Sequence, residues 1–302
     1  MRGKMVTAIR MVVIDIDGTL LPSAGAAVSQ RNVRAVRAAE AAGLEIVIAT
    51  GRRQAYAAPL LAPLGLKPES LIISSNGSVT RTLGGTSIDR FLLPAETARA
   101  LVPALRPFGT MVFTFDREGP GALVVESLEA LHQRVRLWVE ANRPWIREVR
   151  PLERAFDEGE QPVQGMVCGG VAEMRRAEEW LRSSELAPRV EMHRTEYPAR
   201  DLTILDILPP GCSKGAALRR LADQQGIAAA EILAIGDNWN DAAMLEFAGR
   251  AVVMANGAPD LVKQAQERGW EIAAGNDEDG VAQVLETLLA GRPEPAFVEN
   301  GA

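Results

Sequence analysis

The sequence predicts an α/β protein: a doubly wound, Rossmann-like parallel sheet interrupted by an inserted α+β domain. Three observations carry this reading. Short apolar, β-branched runs alternate with helix-period segments from Met11 to Ser75, the βαβαβ rhythm of a parallel sheet buried on both faces. From Asn76 that rhythm gives way to a hairpin, then to strands followed by helices without strict alternation. At Asp201 the strand–helix alternation resumes. A length of 302 residues suits two such domains. Their expected limits are 1–92 with 201–302 for a discontinuous core and 93–200 for the insert.

The elements follow in order. Met11–Ile14 reads as a strand and Ser29 as the N-cap of a helix to about Ala42, stopped by Gly43. Leu44–Ala49 is a second strand, Gln54–Leu64 a helix kinked or broken at Pro59, and Leu71–Ser75 a third strand. Ser78–Leu92 reads as a hairpin turning at Gly84-Gly85. The insert then predicts a helix over Ala95–Leu105, strands over Met111–Phe115 and Ala122–Val125, and a long helix over Ser127–Asn142. A strand over Val163–Val167 and a helix bearing Val171, Met174, Ala177 and Leu181 complete it. Beyond Asp201 come a strand (Leu202–Leu208), a helix (Ser213–Gln225) stopped by Gly226, a strand (Ile232–Ile235) and a short helix (Ala242–Phe247). A strand (Ala251–Met254) and helices over Pro259–Arg268 and Gly280–Ala290 close the pattern. The Pro- and Glu-rich tail from Gly291 is expected to fray.

Composition narrows the function. A net charge of −6 argues against nucleic acid as the main partner, because phosphate backbones are gripped by dense Lys and Arg. No apolar run reaches the roughly 18 residues of a membrane span. Asp15 and Asp17 interrupt the first one and spoil it as a signal peptide, so a cytoplasmic location is the default expectation. Cys168 and Cys212 form no CxxC motif, which excludes zinc ribbons and thioredoxin-like sites. His132 and His193 are the only histidines and neither is placed as catalytic. No GxxxxGK[ST] or GxGxxG motif is present.

Four clusters at predicted strand ends carry the chemistry. In Asp15-Ile16-Asp17-Gly18-Thr19, two carboxylates at i and i+2 share one side of an extended chain and repel unless a cation sits between them. All-oxygen ligation suits Mg²⁺; an Asp-Gly turn closing the strand is the plain alternative. Thr50-Gly51-Arg52 offers a hydroxyl and backbone N–H groups to a phosphate, or is an ordinary turn. Ser213-Lys214 opens a helix with a cation at the end that prefers anions, which makes sense beside a bound anion; otherwise the lysine is solvated. Gly236-Asp237-Asn238-Trp239-Asn240-Asp241 offers further oxygen ligands, or an Asx-rich helix cap. Trp239, inside this loop, is a candidate pocket wall.

DxDGT, TGR, SKG and GDNxND in this order resemble the haloacid dehalogenase superfamily. The large insertion resembles the α+β cap of its Cof-type members. Supporting matches are Ser75-Asn76-Gly77, Met254-Ala255-Asn256-Gly257-Ala258 and the segment Asn276–Ala282, so the likeness spans about Val12 to Leu289. The resemblance implies a phosphatase acting on a small phosphorylated metabolite. In it Asp15 is the nucleophile, forming an aspartyl-phosphate, and Asp17 the general acid and base. Mg²⁺ is implied on Asp15, Asp237 and the Asp17 backbone carbonyl. Ile16, Thr50, Gly51, Arg52, Lys214 and Asn240 are implied around the phosphate, with Asn238 and Asp241 supporting the metal loop. Two alternatives keep the same residues: a phosphomutase or phosphotransferase passing the phosphoryl group to another hydroxyl, and a non-catalytic phospholigand-binding module. Neither substrate nor oligomeric state is legible.

Overall fold

The computed structural model describes residues 8–23, 27–131 and 133–291. His132 and the tail beyond Gly291 lie outside them. Strand β1 (Met11–Asp15) is buried on both faces. Val12 and Ile14 point into one apolar cluster, Met11 and Val13 into another, which is why a continuous rather than alternating apolar run suits it. Ser29 caps helix α1 (Gln30–Ala41), its hydroxyl accepting from the Asn32 N–H at 3.1 Å. Strand β2 (Glu45–Ala49) and helix α2 (Gln54–Leu61) follow; α2 runs through Pro59 unbroken and ends in a 3₁₀ turn. Strand β3 (Leu71–Ser74) leads into the hairpin of β4 (Val79–Thr82) and β5 (Ser87–Arg90).

The next elements are α3 (Ala95–Leu105), β6 (Val112–Thr114), β7 (Leu123–Val125), α4 (Arg136–Asn142) and β8 (Ile146–Glu148). They continue with β9 (Gln164–Gly169), α5 (Val171–Arg182), β10 (Glu191–Tyr197) and β11 (Leu202–Leu208). Then come α6 (Lys214–Gln225), β12 (Ile232–Gly236), α7 (Ala242–Phe247) and β13 (Arg250–Met254). Helix α8 (Pro259–Arg268), strand β14 (Glu271–Ala273) and helix α9 (Gly280–Ala290) finish the described chain.

The strands form two sheets. The first has the order β14-β13-β12-β1-β2-β3-β4-β5, parallel except for the antiparallel β4 and β5. Residues of α1, α2 and α9 pack on one face, and residues of α6, α7 and α8 on the other. The second sheet, β10-β11-β9-β6-β7-β8, is antiparallel except where β7 meets β8. One of its faces packs on α3 and α5 through Phe113, Val167, Leu205 and Ile207.

Several expectations need correction. Leu202–Leu208 does not resume the first sheet; as β11 it pairs antiparallel with β9 and β10, so the second sheet extends past residue 200. The helix read over Ser127–Asn142 is confined to Arg136–Asn142, after a 3₁₀ turn at Gln133–Val135. Strands β8 and β14 span only three, mostly exposed, residues each and β10 is largely polar, so no apolar run marks them. His193 lies in β10, not in a loop.

Candidate active site

The ends of β1, β2 and β12 bring the motif residues together. Lys214, the first residue of α6, has no solvent exposure. Its Nζ donates to Asp15 Oδ1 and Asp241 Oδ1, both at 2.6 Å. The sequence suggested a bound anion beside this lysine; in the structure its partners are two carboxylates of the chain itself. Asp241 Oδ2 accepts from the backbone N–H groups of Asp237 (3.0 Å) and Asn238 (3.1 Å), so both its oxygens are committed. The Thr19 hydroxyl donates to Asp237 Oδ1 at 3.0 Å.

Two glycines allow this approach. Gly18 sits at φ +83°, and a Cβ there would lie 2.3 Å from Asp237 Oδ2. Gly77, at φ +98°, lets the turn after β3 press on the start of α6; its Cβ would lie 2.2 Å from the Ser213 carbonyl oxygen. The neighbouring Asn76, also at positive φ, accepts from Asn240 Nδ2 at 3.1 Å and donates to Asp206 Oδ2 at 2.9 Å.

Carboxylate oxygens of Asp15, Asp237 and Asp241 all lie within 4.8 Å of one another, with all three residues buried. Against them stands one ammonium. Burial above all, then repulsion from Asp241, pushes Asp15 up to about 7. Burial and Asp15 hold Asp237 well above the ordinary carboxylate range. A cation would relieve this excess, and an all-oxygen donor set fits a hard one such as Mg²⁺. Asp15 Oδ2 and Asp237 Oδ2 accept no hydrogen bond among the described residues, whereas both oxygens of Asp241 do. The Asp17 carboxylate stands outside the cluster. Both its oxygens accept from the Arg52 guanidinium, Oδ2 from Nε at 2.7 Å.

Asp15, Asp17, Gly51, Arg52, Asn238 and Asn240 line a cavity of about 180 Å³ between the two sheets. Thr50 does not line it; it is fully buried, its hydroxyl oxygen accepting from the Arg52 N–H at 3.0 Å. The Ile16 side chain belongs to the core, and its carbonyl accepts from Leu20 and Leu21. Asn238 ties the loop to the second sheet: its Nδ2 donates to the Glu196 carbonyl at 3.0 Å and its Oδ1 accepts from the Glu196 N–H at 3.2 Å. Trp239, partly buried, packs against the apolar cluster beneath α6–α8 and does not line the cavity; the tryptophan lining the cavity is Trp138. Sequence reasoning passed over Tyr197 and Asp206, which also line it. A lone Asp within the apolar run of β11 was the available signal for the latter.

A family model described as haloacid dehalogenase-like hydrolase matches residues 12–285. A 5-amino-6-(5-phospho-D-ribitylamino)uracil phosphatase of Bacillus subtilis (strain 168) is 29% identical over 301 residues, covering 94% of this chain and 99% of that one. An HMP-PP phosphatase of Serratia proteamaculans (strain 568) is 30% identical over 257 residues, covering 83% of this chain and 86% of that one. Among solved structures, a haloacid dehalogenase-like hydrolase from Bacteroides thetaiotaomicron aligns with a TM-score of 0.74 at 27% identity, over 93% of this chain and 99% of that chain.

Proposed function

The chain belongs to the haloacid dehalogenase-like hydrolases, and from that premise we propose that it hydrolyses a small phosphorylated metabolite through an aspartyl-phosphate on Asp15. It is a phosphoric monoester hydrolase, as its relatives are named phosphatases. The observation that carries the finer reading is the buried Asp15–Lys214–Asp241 arrangement. Lys214 engages Asp15 Oδ1 and leaves Oδ2 directed to other work.

Asp15 attacks phosphorus; the bond from phosphorus to the alcohol oxygen breaks, and Asp17 supplies the proton that the departing oxygen needs. Asp17 then takes a proton from the water that attacks the aspartyl-phosphate, which releases phosphate and restores Asp15. For these transfers Asp17 must leave Arg52, and an incoming phosphate is the natural new partner for that guanidinium. Asn240 faces the same cavity and supports a phosphate contact; Thr50, Gly51 and the Ile16 backbone shape the loops beneath it. Asp15, Asp237 and the Asp17 carbonyl would hold Mg²⁺, which when bound screens carboxylate from phosphate and polarises the phosphoryl oxygens. Asp241 and Asn238 keep the Asp237 loop in place.

The test is phosphate release from a panel of phosphorylated metabolites and p-nitrophenyl phosphate, with Mg²⁺ and with EDTA. Mg²⁺-dependent release is expected. Absence of release, with phosphate appearing instead on an added acceptor sugar, would replace the hydrolase reading by a phosphotransferase.

A further inference from the structure

Two consecutive arginines line the cavity, and only the first has a partner there. Arg52 is bonded to Asp17 and so belongs to the end where phosphate is transferred. Arg53 lines the same cavity, yet its Nε and both terminal nitrogens are shielded from solvent and make no hydrogen bond. Its guanidinium lies over the Trp145 ring, 4.5 Å from the centroid. A ring face holds a cation through its quadrupole, which leaves the guanidinium donors without an acceptor. Arg117 and Arg194 also hide an unbonded nitrogen, but each pairs with a carboxylate through another, Glu160 and Glu178 respectively. Arg53 has no such carboxylate among the described residues. Burial lowers its pKa from the ordinary guanidinium value, with only Tyr56 opposing. A buried charge left unpaired is costly, and an anion arriving with a ligand would remove that cost.

The position of Arg53 says which part of a ligand it would meet. Its backbone is held at the start of α2, where its carbonyl accepts from the N–H groups of Tyr56 and Ala57. Trp145 directly precedes β8, the edge strand of the second sheet. Leu123, paired with Ile146, and Asn142, in the last turn of α4, line the cavity on that side. Asp206 lies on β11, four strand positions from β8, roughly 19 Å at about 4.8 Å per strand. Through Asn76 it is tied to Asn240, at the phosphate end. The uncompensated cation therefore stands at the β7–β8 side of the cavity, apart from the carboxyl groups gathered round the reacting phosphate.

Resting on the phosphatase reading, we propose that Arg53 forms a second anion subsite: the alcohol that leaves from the phosphate ester carries a phosphate or carboxylate of its own, which pairs with the Arg53 guanidinium. Either oxyanion can accept two N–H groups from one guanidinium fork. Trp145 keeps the cation on the cavity wall before the ligand arrives, so little side-chain freedom is lost on binding. A charge-assisted pair in such a dry setting favours the second-anion ester by about tenfold or more.

The experiment compares kcat/KM on one six-carbon chain: D-glucitol 6-phosphate, 6-phospho-D-gluconate and D-glucitol 1,6-bisphosphate. A shorter pair, sn-glycerol 3-phosphate and 3-phospho-D-glycerate, covers a smaller span. The wild-type protein should favour a second-anion ester over its partner by at least tenfold, and the larger preference names the group as carboxylate or phosphate. Arg53→Gln removes the charge and should cut that preference about tenfold or more, mainly through KM. Arg53→Lys keeps the charge without the fork and should retain an intermediate preference; it carries the comparison if circular dichroism shows Arg53→Gln unfolded. No preference at either length, or one that a folded Arg53→Gln protein keeps, overturns the proposal alone. An equal loss on every ester does the same, because it would place Arg53 on the transferred phosphate. If no ester releases phosphate, p-nitrophenyl phosphate included, the phosphatase reading falls and the proposal with it.

Discussion

A lysine without solvent contact is costly unless its charge is matched, and Lys214 is matched twice, by Asp15 and Asp241. That pairing ties Asp15 to Asp241, which in turn accepts from the backbone N–H groups of Asp237 and Asn238. The sequence suggested a bound anion beside Lys214 from its place at a helix start; its carboxylate partners were not legible, since they lie 199 and 27 residues away. Asp206 shows the opposite case, a buried carboxyl with one oxygen unpartnered. Its folded pKa, about 7, lies above the unfolded value near 3.8, so the folded state keeps a proton that the unfolded chain has released. Stability from this residue is therefore present below about pH 4 and is lost as pH rises toward 7. At about 1.4 kcal/mol per pKa unit, the loss is on the order of a few kcal/mol. Urea unfolding at pH 4.5 and pH 8 should show the wild type losing stability relative to Asp206→Asn over that interval; parallel curves would count against the burial argument.

At the level of elements, contact with the site depends on turns that only glycine permits. Gly77 combines a positive φ with a 2.2 Å approach of its missing Cβ to the Ser213 carbonyl. Gly77→Ala should push the turn off the start of α6, costing on the order of 1–3 kcal/mol of stability and lowering kcat as Lys214 shifts. Chemical unfolding together with phosphate release measures both; a variant with wild-type values would show that this contact positions nothing. Strands β1, β2, β3, β12 and β13 of the first sheet were legible because burial on both faces demands unbroken apolar runs, as in β1. Strand β10 was not, because Glu191–Tyr197 places Thr195 and Tyr197 on the cavity and Glu196 against Asn238, so polar residues occupy it on both faces. Strand β11 was legible as a strand but not in its sheet: an apolar run does not state its partner, and here the partners are the antiparallel β9 and β10.

For the whole molecule, the motif residues were readable because they sit at the ends of parallel strands, where this topology gathers loops into one crevice. Asp15, Asp237 and Asp241 meet there. The cavity above them was not readable, since it forms between side chains of two sheets that come from segments as distant in sequence as Asp15 and Asn240. No described helix is long and apolar enough to cross a membrane. The central claim is that the cluster exists to make Asp15 a nucleophile. Its most direct measurement is phosphate release by Asp15→Asn in Mg²⁺, beside circular dichroism and thermal unfolding of the same sample. The substitution is nearly isosteric and removes one of three crowded negative charges, so the fold should persist. Turnover should fall by about 10³-fold or more, as loss of a covalent nucleophile requires. A folded Asp15→Asn protein that hydrolyses phosphate esters at the wild-type rate would contradict the assignment.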